Sequence, residues 1–216
     1  MRLTLHVIIP VKKLDEGKKR LSTLLSVSQR RVLSLCMLQD VLDAVSGSEK
    51  VTTSVVISPD QDVLKLAELK NFIPLKEDCQ KGVNIAVKTA NDFCANLGAL
   101  STLILPSDIP LMQPVDIDTI IDSSRSTNSV VVVPSLRMDG TNALLRNPPN
   151  VINTFYDENS YQMHVDTAKK KGVEVSVIKP ARVMLDLDVV EDLKEFMLIE
   201  SNTATYRYLL KINLDG

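Results

Sequence analysis

Four groups of residues in this chain of 216 have types and spacings that could do chemistry. The first is Pro10-Val11-Lys12-Lys13-Leu14-Asp15-Glu16-Gly17-Lys18-Lys19-Arg20-Leu21, with five cations in nine residues and a glycine among them. Lysine and arginine so placed can hold polyphosphate oxygens and neutralise charge that develops in phosphoryl transfer. The same composition also describes a solvated basic loop, with Lys18 and Arg20 exposed and away from the core. Its glycine spacing is neither that of a P-loop nor that of a dinucleotide fold. The second group is Leu105-Pro106-Ser107-Asp108-Ile109-Pro110. A carboxylate directly after an apolar run can ligate magnesium beside substrate phosphates, or merely cap a turn between two prolines. The third is Met184-Leu185-Asp186-Leu187-Asp188. In a strand, Asp186 and Asp188 share one face while Leu185 and Leu187 face the core. Two carboxylates side by side repel unless a cation lies between them; otherwise Asp188 caps the helix that follows. The fourth joins Asp139-Gly140-Thr141-Asn142 to Asp157, Ser160 and His164. A helix opening at Ser160 would aim free amides at an anion, with His164 on the same face one turn on. The plainer reading is a turn, an N-cap and a surface histidine. His6, inside an apolar run, reads as structural.

The elements that must position these groups alternate along the chain. Apolar runs at Leu3–Pro10, Ser54–Ile57, Phe72–Leu75, Thr102–Leu105, Val130–Val133, Val173–Ile178 and Val183–Leu187 read as strands. Ser26 and Gln29 form a capping box for a helix with Val32, Leu35, Cys36, Leu38, Leu42 and Val45 on one face. Further helices are expected from Pro59-Asp60 to Leu69, after Gly82 to Gly98, over Asp116–Ile121, from Ser160 to Lys171, and from Val189 to Glu200. Residues 135–158 break the rhythm with Gly, Asn and a Pro-Pro pair. The alternation predicts a single α/β domain over 1–216, with a mostly parallel sheet covered by helices on both faces. Ligands of such sheets bind beyond the carboxyl ends of the strands, which is where the four groups fall.

Composition narrows the function classes. Net charge is −2 and aromatic residues make up 4% with no Trp, so neither a global basic field nor stacking platforms favour nucleic acid. No segment offers the eighteen or so apolar residues of a membrane span, and the N-terminus lacks the features of a signal peptide. Cys36, Cys79 and Cys94 are odd in number and lack metal-ligand spacing, which suits buried thiols in a reducing, cytoplasmic compartment.

Taken in order, the motifs IPVKKLDEGKKRL (9–21), KGVNIAV (81–87), LPSDIPLM (105–112), DGTNALL (139–145), NSYQMHVDTAKKKG (159–172) and LDLDVVEDL (185–193) resemble the 2-phospho-L-lactate guanylyltransferase family. LPSDIPL alone is typical of the wider sugar-phosphate nucleotidyltransferases; the basic loop together with GTNALL is more specific. The resemblance implies a glycosyltransferase-A-like fold and a homodimer in biosynthesis of coenzyme F-420. It implies condensation of GTP with (2S)-2-phospholactate to lactyl-2-diphospho-5′-guanosine and pyrophosphate, with Mg2+ as cofactor. It also implies roles for individual residues. Asp108, Asp186 and Asp188 match the metal-binding acids, and Lys12, Lys18 and Arg20 match the catalytic basic loop together with Asp108. Pro10, Val11, Lys12, Gly82, Asn84, Pro106 and Ser107 fall on the nucleotide side, and Thr141, Asn142, Asp157 and Ser160 on the acid's side. The family often has glycine where Asp157 stands, and related enzymes use phosphoenolpyruvate. Transfer to a sugar or cofactor phosphate, or a silent nucleotide-binding regulator on the same fold, are the alternatives. The residues near Gly82 name no particular base.

Overall fold

The computed structural model describes residues 4–78, 81–157 and 159–212; Leu3 and Cys79 lie outside them. The first half winds one way and then reverses. Strands β1 (Leu5–Pro10), β2 (Thr53–Ser58) and β3 (Ile73–Lys76) are joined through helices α1 (Val27–Ser46) and α2 (Gln61–Leu69). Helix α3 (Val83–Asn96) returns the chain to the other side of β1, where β4 (Ser101–Ile104) pairs parallel to it. After α4 (Pro114–Asp122) come β5 (Ser129–Pro134), β6 (Thr141–Asn147), α5 (Ser160–Lys170) and β7 (Glu174–Val177). The C-terminal part is helical: α6 (Ala181–Met184), α7 (Val190–Met197) and α8 (Ala204–Lys211). The sheet order is β3-β2-β1-β4-β6-β5-β7. All pairs are parallel except those of β6, which runs antiparallel to both β4 and β5.

Strand alternation divides the core. Leu5, Val7 and Ile9 of β1 face one layer with Leu38, Val41 and Leu42 of α1 and Ile117 and Ile120 of α4. Ile8 faces the other layer, with Val87 and Ala90 of α3 and Val165 and Ala168 of α5. This two-sided covering is the α/β architecture expected from the sequence. A third apolar cluster lies outside α1, where Leu33 and Met37 meet Leu185, Leu187, Phe196 of α7 and Leu209 of α8.

That cluster explains one departure from the expected pattern. The stripe on α1 put Val32 inward, yet Val32 is 41% exposed while Leu33, Met37 and Val41 are buried. A helix packed on two sides has no single stripe. Two further departures concern strands. Thr141–Asn147, expected to be irregular, is β6 and wholly buried. Its apolar Ala143, Leu144 and Leu145 are flanked by Thr141, Asn142, Arg146 and Asn147, whose side chains all hydrogen-bond inside the fold. Val183–Leu187, expected to be a strand, is the end of α6 followed by an extended segment outside the sheet. The proline at Pro180 precedes the first helical residue there, a position that suits proline's fixed φ.

The last helix is pinned to α1 by one carboxylate. Asp40 accepts from the backbone N–H groups of Ala204 (2.7 Å) and Thr205 (2.9 Å) and from the Thr205 hydroxyl (2.6 Å). Asp40→Ala should lower the unfolding free energy by roughly 1–2 kcal/mol, the cost of a lost helix cap, read from the urea midpoint. An unchanged midpoint would mean that Leu209 and its apolar neighbours hold α8 unaided.

Candidate active site

The strand order reverses between β1 and β4, and the crevice beyond their carboxyl ends is the place such sheets offer a ligand. A cleft of about 740 Å³ opens there, within the usual range for small-molecule sites. It gathers Pro10, Val11, Lys12, Lys18 and Arg20 from the end of β1, and Pro106, Ser107 and Asp108 from the end of β4. Thr141, Asn142, Asp157, Ser160, Asp186 and Asp188 complete it from later segments. Gly82 lines a much smaller recess shared with Pro10, Val11 and Lys12. Its φ of +98° at the N-cap of α3 is one that side-chain-bearing residues rarely adopt. Asn84 stands outside the cleft lining. Its carbonyl oxygen accepts from the Tyr156 N–H (2.8 Å) and its amide donates to Asp157 (3.1 Å), so Asn84 ties α3 to the segment before α5. The Asp157 carboxylate is thereby turned to a partner of its own.

The basic loop is anchored at both ends, although four of its five cations are exposed. Leu14 and Leu21 are buried pegs at its two ends. The Leu14 N–H donates to Asp60 (3.1 Å), and Arg31 bridges Asp15, Asp60 and Asp62. Between the pegs Lys18 sits in the left-handed region at φ 50°, a conformation that costs a non-glycine residue on the order of 1 kcal/mol and persists where surroundings over-determine it. The determinant is its ammonium, 2.5 Å from a carboxylate oxygen of both Asp108 and Asp188. The expectation of an exposed Lys18 is therefore corrected: its side chain is only 9% exposed. Burial disfavours the ammonium, but Asp108 and Asp188 overcome this and hold its pKa above the ordinary lysine range. Lys12 and Arg20 do stand exposed at the cleft.

The acidic side is built from backbone as well as side chains. The Leu187 N–H donates to the Asp108 carbonyl (3.0 Å), clasping the Leu185–Asp188 segment to the end of β4 without a sheet ladder. Leu185 and Leu187 are buried as alternation requires. Asp192 at the start of α7 accepts from the N–H groups of Asp188 and Val189 (both 2.8 Å) and pairs with Arg137. The amide nitrogen of Asn142 lies 3.0 Å from Asp186 and also contacts the Val183 and Met184 carbonyls; Asn142 thus supports an acid as well as lining the cleft. Burial, then repulsion by Asp108, pushes Asp186 up to about 6. Asp188 is held below the usual carboxylate range, because Lys18 outweighs burial.

Lys18 pairs with Asp108 and Asp188, and the Arg20 and Arg137 guanidiniums also favour the charged Asp188; Asp186, whose hydrogen-bond partner is the neutral Asn142 amide, is the acid least compensated by cations. Among the described residues, no three His, Cys, Asp or Glu side chains form a ready-made metal cage. The oxygen donors fit magnesium in its usual manner, held by one or two carboxylates with water and substrate phosphate supplying the rest.

Sequence patterning gives little warning of two participants, Arg137 and Tyr156. Arg137 reaches the cleft from the turn before Gly140; its only signal is its place in an already flagged stretch. Tyr156 also lines the cleft. His164, which could have been a surface residue, is fully buried. Its Nδ1 lies 3.0 Å from the Thr141 hydroxyl oxygen, and its Nε2 accepts from the Phe155 N–H (2.9 Å). The Ser160 hydroxyl is 3.2 Å from that of Thr141. Burial pushes His164 down to about 4, so it is neutral at pH 7.

The chain is similar to several known proteins. The family described as "Guanylyl transferase CofC like" matches residues 5–216. A 2-phospho-L-lactate guanylyltransferase of Methanobrevibacter smithii is 37% identical over 98% of this chain and 93% of its own. A phosphoenolpyruvate guanylyltransferase of Conexibacter woesei is 32% identical over 88% and 86%. The solved structure of a nucleotidyl transferase from Methanothermobacter superposes with a TM-score of 0.70 at 11% identity, covering 97% of this chain and 99% of its own. That likeness establishes the fold alone.

Removing the Lys18 ammonium should expose the carboxylate repulsion. Lys18→Met is expected to lower stability by on the order of 2 kcal/mol in the presence of chelator, less than for a fully buried pair because Asp188 is 42% exposed and solvent screens it. Added magnesium should then raise the melting temperature of the variant more than that of the parent. Equal melting temperatures with and without magnesium for both proteins would remove the case for a cation site here.

Proposed function

The chain belongs to the CofC-like guanylyl transferase family, and from that membership we propose that it joins GTP to a small acid carrying a phosphate ester, (2S)-2-phospholactate, releasing pyrophosphate. The product would be lactyl-2-diphospho-5′-guanosine, an intermediate on the way to the deazaflavin coenzyme F-420. One observation carries the reading: a single cleft brings together the loop cations, the three carboxylates and the Thr141–Ser160 hydroxyl pair.

In the proposed reaction a phosphate oxygen of the acid attacks the α-phosphorus of GTP. A new phosphorus–oxygen bond forms, the bond to the bridging oxygen of the β-phosphate breaks, and the electron pair leaves with pyrophosphate. The nucleophile is already an anion, so no general base is required, and catalysis reduces to positioning and charge neutralisation. Lys12 and Arg20 would bind the triphosphate and stabilise the leaving pyrophosphate, while Lys18 holds Asp108 and Asp188 in place beside them. Asp108, Asp186 and Asp188 would hold magnesium, whose contribution is positive charge against the phosphate oxygens. Thr141 and Ser160 would hold the acid, with Pro10, Val11, Gly82, Pro106 and Ser107 on the nucleotide side. Residence in the cytoplasm and a homodimer belong to the same proposal, the second resting on family resemblance alone; sedimentation of the purified chain tests it.

A second reading, transfer to phosphoenolpyruvate, is favoured by the Conexibacter relative, which is named for that acid. The two acids share a carboxylate and a phosphate on the adjacent carbon and differ in whether that carbon is tetrahedral or planar. Pyrophosphate release from GTP, measured with each acid in turn, separates the readings by the ratio of kcat/KM. Release with neither acid would overturn both.

Two substitutions probe the ends of the cleft. Asp108→Asn should keep the fold and reduce kcat by about a hundredfold or more, as when a transition-state electrostatic partner is lost; normal turnover would make Asp108 a turn residue. Thr141→Val should raise the KM for the acid by an amount equivalent to roughly 1.5–3 kcal/mol, the range for a hydrogen bond to a charged group. The KM for GTP should stay nearly unchanged. If GTP binding suffers instead, this segment serves the nucleotide.

A further inference from the structure

His164 does not line the cleft, yet it touches the hydroxyl pair that does, and the bonds around it fix which way those hydroxyls point. The Phe155 backbone N–H can only donate, so the Nε2 it meets at 2.9 Å is an acceptor and carries no proton. The ring is buried between the Phe155 and Tyr156 rings, at centroid distances of 5.9 and 5.2 Å, and burial together with the nearby Arg146 guanidinium keeps it neutral. A neutral imidazole has one N–H, which must therefore be on Nδ1. That hydrogen points at the Thr141 Oγ1, 3.0 Å away, so Thr141 accepts.

The hydrogens can now be counted. The Thr141 and Ser160 hydroxyls, 3.2 Å apart, carry two hydrogens between them, and the bond joining them uses one. Neither oxygen has another protein partner among the described residues. Ser160 donates to Thr141, so with the Nδ1–H also donating to it both lone pairs of Thr141 are taken and its own hydrogen turns to the cleft. The pair therefore offers a donor. With the opposite tautomer Thr141 would donate to Nδ1, Ser160 would donate to Thr141, and only lone pairs would face an incoming anion.

We propose that His164 is a positioning residue that makes the Thr141–Ser160 pair an obligate hydrogen-bond donor, and so selects an oxyanion of the substrate acid over any group that must itself donate. The proposal rests on the reading that the acid binds at this pair. The Phe155 N–H acts as the key that sets the tautomer, and His164 transmits it through a buried ring to the cleft surface.

Two variants separate positioning from plain packing. In His164→Asn the amide nitrogen occupies the place of Nδ1 and still donates to Thr141, but nothing reaches the Phe155 N–H. In His164→Gln the side chain reaches the place of Nε2 and accepts from Phe155, but the donor to Thr141 is lost. His164→Gln should raise the KM for the acid roughly three- to tenfold, the net worth of the one neutral hydrogen bond that orients the Thr141 hydroxyl. The KM for GTP should stay within about twofold, a change too small for a lost hydrogen bond. His164→Asn should recover most of the acid's affinity relative to Gln. A merely structural histidine predicts that kcat and both KM values drift together and that Asn is no better than Gln; either result overturns the proposal. Should neither variant fold, nitrogen NMR of the parent imidazole decides: a proton on Nδ1 supports the proposal and a proton on Nε2 overturns it. Thr141→Val and Ser160→Ala keep the two claims apart. If both leave the acid's KM unchanged, the acid binds elsewhere and the underlying reading falls. If they raise it while His164→Gln does not, the subsite stands and the role of His164 falls.

Discussion

Like charges at one edge of the sheet set the terms for this site. Asp108, Asp186 and Asp188 approach closely enough that repulsion from Asp108 adds to burial in pushing Asp186 up to about 6. Carboxylates in that position drift apart or take up protons unless something opposes them. Here a lysine ammonium is inserted between two of them, at the cost of a left-handed backbone at Lys18. The loop that carries Lys18 is in turn anchored by Leu14, Leu21 and the Arg31–Asp60 pairing. The basic loop and the acidic edge are thus one electrostatic unit, and neither would hold its geometry with the other removed.

The same constraint gives the C-terminal helices a reason to exist. Leu185–Asp188 has no place in the sheet, so the usual ladder of hydrogen bonds cannot fix two of the three acids. Buried Leu185 and Leu187 supply the anchor by entering the apolar cluster formed with α1, α7 and α8, and one backbone bond from Leu187 to Asp108 sets the spacing. Asp192 then caps α7 while receiving Arg137. Buried apolar area in that outer cluster stabilises the fold, and it also holds Asp188 against the Lys18 ammonium.

Much of this was legible in the sequence because the α/β rhythm is strong where the sheet is parallel. Runs such as Val130–Val133 are continuous and β-branched, as strands buried on both faces are, and the groups that follow β1 and β4 fall at the functional edge by topology alone. Polar residues that go inside are harder to read. Thr141, Asn142 and Arg146 look like loop residues until their partners are known, and those partners are distant: His164, the Val183 carbonyl and Asn91. No local pattern encodes them. The burial of Lys18 is hidden for the same reason, since the carboxylates that pair with it lie 90 and 170 residues away in sequence. The Asp186/Asp188 alternation succeeded without a strand, because an extended backbone alternates its side chains whether or not it is paired.

The strand that broke the rhythm proves to be the one the proposed chemistry needs. In a wholly parallel sheet the first residue of a strand lies at the edge remote from the ligand. Because β6 runs antiparallel to β4, with Leu144 opposite Ile104, its first residue Thr141 lies beyond the carboxyl end of β4. The order β1-β4-β6 then sets three chemistries side by side: loop cations after β1, Asp108 after β4, and the hydroxyl pair at the start of β6. An in-line displacement requires the attacking and leaving oxygens on opposite sides of the phosphorus. On the proposed function, with pyrophosphate on the cations and the acid on the hydroxyls, the α-phosphorus would fall over β4, next to Asp108. The reversal of one strand is what gives the sheet edge two different ends, and a transfer between two anionic substrates needs both.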